Sequence, residues 1–180
     1  MNESEFWQLI DKVNMNQEAD DYADTNELIG TLSKFTPSEI IEFERIFCEK
    51  LLELDHFNVM LPLQIIDDYV GDDSYLYYRC WLIAHGQEVV EGVLKEPDFL
   101  ADFVTEDTEP DLEDLLYVST DAFKLSTGKD EEDDTFPRSQ NFKPELNYDF
   151  CPVPTKGEEW DEDDLPTLAP KLWKMFNNDQ

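Results

Sequence analysis

Residues 36–54 read TPSEIIEFERIFCEKLLEL and open with the clearest helix start in the chain. Thr36 can cap a helix with its hydroxyl, Pro37 suits the first helical position, and Glu39 stands three residues after the cap. The apolar side chains that follow recur at helical spacing on one face: Ile40, Phe43, Phe47, Leu51 and Leu54. This pattern predicts a helix over residues 37–54.

Comparable apolar patterns on both sides of this stretch predict further helices. Their ranges are 3–13, 25–35, 57–70, 73–85 and 87–95, followed by a short helical segment at 97–103 and a last long helix at 112–125. Asn2 or Ser4 can cap the first helix, Asp72 or Asp73 can cap the one at 73–85, and Gly86 is expected to end it. Strand content should be minimal, so the predicted fold class is all-α, a single compact domain of about seven helices.

The chain divides into three predicted regions. Residues 1–128 form the helical core, which 41% apolar and 13% aromatic side chains are sufficient to build. Residues 129–160 are acidic and contain prolines, so we expect a strap without regular structure. Residues 161–180 are expected to form a short C-terminal helix that docks on the core.

Charge limits the possible partners. The 180-residue chain has 44 Asp and Glu against 13 Lys and Arg, a formal net charge of -31. Nucleic-acid binding requires clustered cations that neutralise phosphates, and no such cluster occurs. Direct binding to nucleic acid and to anionic membranes is therefore not expected, whereas a basic protein partner is.

Cysteine usage and the N-terminal residues bear on the compartment. The three cysteines, Cys48, Cys80 and Cys151, are widely spaced and odd in number, so neither a disulfide framework nor a zinc motif is indicated. The first residues lack the basic and long apolar regions of a signal peptide, and no apolar run approaches the length of a membrane helix. We expect a cytoplasmic protein.

Arg79 is the most conspicuous polar residue within an apolar helix. It lies between Tyr78 and Trp81, with Asp72 and Asp73 about two turns upstream. One interpretation is a pocket in which Arg79 binds an anionic ligand bidentately, with Trp81 or Tyr75 as a stacking wall. The other interpretation is a buried ion pair that ties two helices together, because a buried charge needs a partner.

Catalytic and metal-binding signatures are not apparent in the sequence. His56 and His85, the only histidines, lie near predicted helix ends, and neither belongs to a Ser-His-Asp arrangement or an HExxH motif. The acid runs lack the alternating ligands and the glycine of a calcium-binding loop. We predict no catalytic residue, no cofactor and no metal site, and an enzyme remains an alternative.

Two acid segments, residues 130–134 (DEEDD) and residues 158–164 (EEWDEDD), are the predicted contact surface. Their predicted partner-binding residues are Asp130, Glu131, Glu132, Asp133, Asp134, Trp160, Asp161 and Glu162. The first functional hypothesis is a non-enzymatic domain, immunity-like, antitoxin-like or regulatory, that masks a basic partner surface. The second is a small-molecule or nucleotide-binding regulatory domain or enzyme built around Arg79. The third is nucleic-acid mimicry by surface carboxylates.

Four passages carry a resemblance to a known family: EFWQLI, TPSEIIEFERIF, DDSYLYYRCWLIAHGQEVVEGVLKEPDFLAD and GEEWDEDDLPTLAPKLWKMF. Together they resemble the bacterial family catalogued as domain of unknown function 4240, over nearly the whole chain. The strongest positions are Phe6, Trp7, Ile10, Phe43, Asp72, Asp73, Tyr78, Arg79, Trp81, Leu82, Ile83, Gly86, Pro97 and Asp98. A glycine-rich step usually precedes the acid pair in that family, and here Gly71 is the one glycine. The resemblance implies a helical fold and a bacterial cytoplasmic setting, but no reaction.

Overall fold

The computed structural model describes residues 1–14, 24–148, 154 and 156–177, and these residues form an all-α fold. Within those ranges there is no β-strand, and the one recorded bridge joins His56 to Lys156. The predicted fold class is confirmed. The described residues form ten α-helices and four 3₁₀ segments, more than the seven helices expected, because short helices follow the core.

The helix bounds follow the chain in order. The α-helices are α1 Glu3–Asn14, α2 Thr25–Leu32, α3 Pro37–Glu53, α4 Phe57–Asp67, α5 Asp72–Ala84, α6 Gln87–Lys95, α7 Val118–Thr127, α8 Pro137–Asn141, α9 Leu165–Leu168 and α10 Pro170–Phe176. The 3₁₀ segments are Pro97–Asp102, Glu113–Tyr117, Pro144–Leu146 and Glu162–Asp164.

Helix α3 lies at the centre of the core and starts as its sequence predicts. The backbone N–H of Thr36 donates to Glu39 Oε2 at 2.9 Å, and the N–H of Glu39 donates back to the Thr36 hydroxyl at 3.4 Å. The apolar face of α3 is buried against α1, α5, α7 and α8. Burial of each Leu, Ile or Phe side chain stabilises the fold by about 1.5–3 kcal/mol. The apolar face of α3 therefore supplies a large part of the free energy that stabilises the core.

Several helix ends differ from the sequence prediction. Helix α4 ends at Asp67 rather than at residue 70, because Asp68 adopts a left-handed conformation with φ 59°. Asp72 and Asp73 do not cap α5. The N-cap is Gly71, whose N–H donates to Ser74 Oγ at 2.9 Å, and the two acids occupy the first turn.

Gly86 follows the C-cap of α5, as the predicted stop requires, and is also the junction with α6. His85 closes α5, and Gly86 precedes α6 with φ 97°. A Cβ atom at this position would lie 2.5 Å from Asp11 Oδ1. Only glycine adopts this backbone conformation readily and leaves space for α1, so Gly86 fixes the angle at which α6 leaves α5.

The expected helix over residues 112–125 is two elements. Residues Glu113–Tyr117 form a 3₁₀ segment, and α7 begins only at Val118. Gly128 ends α7 in the left-handed conformation, φ 71°, which glycine adopts readily.

The expected strap contains regular structure, contrary to the prediction. Helix α8 and the 3₁₀ segment Pro144–Leu146 both pack on α3. Asn141 fastens α8 there, since its side-chain amide donates to the Ile41 carbonyl at 3.0 Å. Proline at the first helical position starts each of these short elements, so these prolines begin helical turns rather than only interrupting regular structure. The division into three regions stays a prediction.

The described C-terminal residues lie against the same core. The carboxylate of Asp98, which is only 5% exposed, accepts hydrogen bonds from the backbone N–H groups of Lys171 and Leu172 at 2.9 and 3.0 Å. These contacts hold α10 against the Pro97–Asp102 segment and α4.

Candidate functional site

Arg79 is buried but has no carboxylate partner among the described residues. Its Nη1 donates to the carbonyl of Leu51 at 2.9 Å, and its guanidinium lies 4.7 Å from the ring centroid of Tyr75. Arg79 therefore ties α5 to the last turn of α3 through the Leu51 carbonyl, while its cation–π contact with Tyr75 lies within α5. The ion-pair interpretation is wrong for the part of the chain that the structure describes.

The structure does not bring the other predicted ligand-binding residues into a pocket with Arg79. Asp72 and Asp73 are exposed on the first turn of α5. Trp81 is 2% exposed and is packed between Tyr78 and His85, with ring centroids 6.1 and 3.9 Å away. Neither cavity described below is lined by Asp72, Asp73, Arg79 or Trp81. Ligand binding at these residues stays a prediction.

Acid segment 130–134 forms an exposed turn after α7. One of its five acids, Asp133, is ion-paired, with Lys129 at 3.2 Å, while the other four have no cationic partner among the described residues. Hydrogen bonds from the hydroxyl and N–H of Thr135, together with Lys129, lower the pKa of Asp133 to about 2. Asp133 shapes the turn, and its four acidic neighbours project into solvent.

Acid segment 158–164 carries six exposed acids and one indole that is turned inward. None of the six makes an ion pair with the residues that the structure describes. Trp160 is half-buried against the core, and its Nε1–H donates to the carbonyl of Phe57 at 3.1 Å. Trp160 therefore anchors this segment on the start of α4. The expectation that it contacts a partner is not supported by this position.

Glu44 on α3 is a buried carboxyl group that is not among the residues predicted from the sequence. Its side chain is 3% exposed and accepts a hydrogen bond from Ser119 Oγ of α7 at 2.5 Å. It also accepts a hydrogen bond from the Cys48 thiol at 3.8 Å. Burial raises the pKa of Glu44 above its ordinary value, against the opposing effects of Ser119 and Arg138. Burial likewise raises the pKa of Cys48, so its thiol stays protonated and is a poor nucleophile.

Glu44 lies in the wall of a cavity of about 400 Å³ between α3 and the segment that follows α7. We call it the Glu44 cavity. It is lined by Glu44, Cys48, Arg138, Asn141, Phe142, Lys143, Pro144, Leu146, Asn147 and Tyr148. Its lining combines one buried acid, two exposed cations and several apolar or aromatic side chains, which is the composition of a small-molecule site.

Two further side chains shape this cavity. Arg138 Nη2 donates to the carbonyl of Leu116 at 2.8 Å, and the guanidinium lies 5.1 Å from the ring centroid of Tyr117. These contacts fix the guanidinium on the outer side of the cavity. Tyr148 is partly buried, and desolvation, reinforced by Glu44, raises the pKa of its phenol, which therefore remains a hydrogen-bond donor.

A second, more open cavity of about 580 Å³ lies beside α6. It is lined by Asp11, Gln87, Glu88, Glu91, Gly92, Lys95, Glu96 and Phe99. Burial raises the pKa of Asp11, and a backbone N–H bond from Gln87 partly opposes this effect. Four acids and a single cation are among its described lining residues, so this cavity is predominantly anionic.

Both histidines make contacts within the fold. His56 caps α4 by accepting the N–H of Asn58 at 3.0 Å, and desolvation and Lys156 lower its pKa. His85 packs against Trp81, and burial lowers its pKa as well. Both shifts favour the neutral imidazole, and His56 lies at a helix N-terminus, where a cation would be disfavoured. Cys151 lies outside the described residues.

Within residues 1–14, 24–148, 154 and 156–177, no group of three His, Cys, Asp or Glu side chains is placed to hold a metal ion. The helices formed by these same residues are too short or too polar to cross a bilayer.

The fold and site define an all-α domain with an acidic surface and one cavity built around a buried carboxyl group. The profile of the family described as "Protein of unknown function (DUF4240)" matches residues 1–125, so the chain belongs to that family. The match includes Glu44, Cys48 and Ser119 but ends before Arg138 and before both acid segments. No curated protein and no solved structure matches the chain.

Proposed function

We propose that the chain is a non-enzymatic binding domain that recognises a basic surface on a partner protein through its two acid segments. Such a domain would act as immunity proteins, antitoxins or acidic regulators do, by covering a cationic surface. The bacterial cytoplasm is the compartment that the sequence favours for this domain and its basic partner.

The unneutralised charge of the acid segments supports this proposal most directly. Ten of their eleven acids have no cationic partner among the described residues, and Asp133 alone is paired. Unpaired carboxylates on neighbouring residues repel one another, and a cationic partner relieves that repulsion. Charge complementarity of this kind accelerates association and selects against acidic partners.

Anchoring of both segments adds to this support. The Lys129–Asp133 pair holds the first turn, and Trp160 holds the second segment on α4. A segment that is held before binding loses less conformational entropy on binding than a disordered tail does. The acids are therefore presented in a defined arrangement.

Capture of partners from a lysate of the native host tests the proposal. The first bait is wild type, and the second carries D130N, E131Q, E132Q and D134N, which leaves Asp133 and its turn intact. A matched control bait carries E106Q, D107N, E109Q and D121N, four exposed acids outside both segments.

A basic protein should be retained by wild type and the control bait at low salt and lost from the second bait. Equal retention by all three baits would mean that acid segment 130–134 does not carry the interaction, and an acidic partner would contradict the proposal outright.

A further inference from the structure

The Glu44 cavity has the size and walls of a ligand site. Its volume of about 400 Å³ falls within the roughly 300–1,000 Å³ of small-molecule pockets. Phe142, Pro144, Leu146 and the ring of Tyr148 supply apolar surface, and Phe142 is 91% exposed. A small apolar body would cover this surface, including the ring of Phe142 that now faces solvent.

The buried end of the cavity is polar and has spare hydrogen-bonding capacity. A carboxyl group offers about four acceptor positions, or one donor and the remaining acceptors when protonated. Among the described residues, Ser119 and Cys48 occupy two of these positions on Glu44. Because burial favours its neutral form, Glu44 is suited to a hydroxyl or carbonyl group rather than to a full charge.

The exposed side of the cavity is cationic. Among the described lining residues, Arg138 and Lys143 are the only charged ones besides Glu44, and both are exposed. A guanidinium has five N–H donors, and Arg138 uses one of them among the described residues, toward the carbonyl of Leu116. The remaining donors and the Lys143 ammonium can bind a carboxylate or phosphate.

We propose that the Glu44 cavity binds a small, largely apolar molecule with an anionic head for Arg138 and Lys143 and a hydroxyl or carbonyl group for Glu44. None of the lining residues belongs to an acid segment. This site is therefore independent of the surface proposed to bind a basic partner, and either proposal can fail alone.

Probes with matched apolar bodies test the anionic head. Binding of 3-phenylpropanoate and of 3-phenylpropan-1-amine to the full chain is followed by titration of backbone amide signals. The carboxylate should shift signals of residues 141–148 and bind at least about tenfold more tightly than the amine, a difference of about 1.4 kcal/mol.

Variants assign this preference to the two cations. R138Q/K143Q should weaken carboxylate binding by at least about tenfold, whereas K34Q/K124Q, which removes two exposed lysines outside the cavity, should leave it unchanged. Equal binding of amine and carboxylate, or equal weakening by both double variants, would overturn the proposal.

A hydroxyl on the probe tests the role of Glu44. We expect 3-(4-hydroxyphenyl)propanoate to bind wild type about tenfold more tightly than 3-phenylpropanoate, and E44M to bind the two alike. Equal affinities in wild type would remove Glu44 from the site. This wild-type comparison stands even where E44M does not fold.

Discussion

Glu44 couples its protonation to folding. It lies among the apolar side chains of α3 and is hydrogen-bonded by Ser119. Because burial raises its pKa above 4.5, the folded protein binds this proton more tightly than the unfolded chain does. Raising the pH from about 4.5 toward the folded-state pKa therefore lowers the free energy of unfolding.

The first prediction concerns E44Q, in which the buried position cannot ionise. Relative to wild type, E44Q should gain unfolding free energy as the pH rises from about 4.5 to 7, because only wild type must lose the proton from a buried site. Urea denaturation over this pH range measures the difference. The exposed-site control E106Q should track wild type, and a pH-independent difference for E44Q would show that burial does not shift the Glu44 pKa.

Gly86 and Gly30 form a matched pair for a second prediction. G86A should destabilise the fold by more than about 1 kcal/mol, since φ 97° strains an alanine and its Cβ would meet Asp11. G30A should stabilise by up to about 1 kcal/mol, because Gly30 lies inside α2 with open space around it.

Chemical denaturation of both alanine variants measures these changes. Equal effects of the same sign would contradict the assigned backbone conformations.

Part of the candidate site could be predicted from sequence. Glu44 stands one turn after Ile40 and one turn before Phe47 on the buried face, so an acid at a buried position was visible in the pattern. Its partner Ser119 is 75 residues away, and helical spacing does not reveal which side chains meet across helices. Arg79 shows a second limit of prediction from sequence. Its burial was predicted, but its partner is a backbone carbonyl, which no sequence pattern displays.

Among the secondary-structure elements, α10 is held in place by Asp98, whose carboxylate binds the backbone of α10. Its carboxylate accepts N–H bonds at the start of α10, replacing the cap that Ala169 cannot supply. D98A should lower the free energy of unfolding by about 1–3 kcal/mol, and D98N, which keeps one acceptor oxygen, by less.

Hydrogen exchange locates this effect. Amides of residues 171–176 should exchange faster in D98A before the rest of the chain does. Unchanged protection of these amides would contradict the docking of α10 through Asp98.

Helices with strong local signals were predictable, and those that depend on tertiary contacts were not. The capping box of α3 and the glycine stop of α7 are local chemistry and agree with the sequence. Helix α8 is only five residues long and is marginal on its own, so it depends on its contact with α3 through Asn141. The proline-containing sequence around α8 therefore predicted an irregular segment rather than a helix.

At the scale of the whole molecule, surface charge opposes folding. Two acids among the described residues are buried, Glu44 and Asp98, so the other described acids are at the surface. Their repulsion adds to the free energy of the folded state more than to that of the expanded unfolded chain.

The thermal midpoint should therefore rise when sodium chloride is increased from about 10 mM to about 0.5 M, by about 2–4 °C for each kcal/mol of relieved repulsion. Differential scanning calorimetry measures this rise. The variant D130N/E131Q/E132Q/D134N should show a higher midpoint at low salt and a smaller response, and a midpoint independent of salt would contradict the role of repulsion.

The association rate of the captured basic partner is the most direct test of the acidic-surface account. Measured by stopped flow over the same salt range, the wild-type rate should fall at least about tenfold, because screening removes long-range attraction. The variant with four neutralised acids in segment 130–134 should associate more slowly at low salt and respond less to added salt. Identical rates and salt dependence for the two proteins would contradict the proposed function.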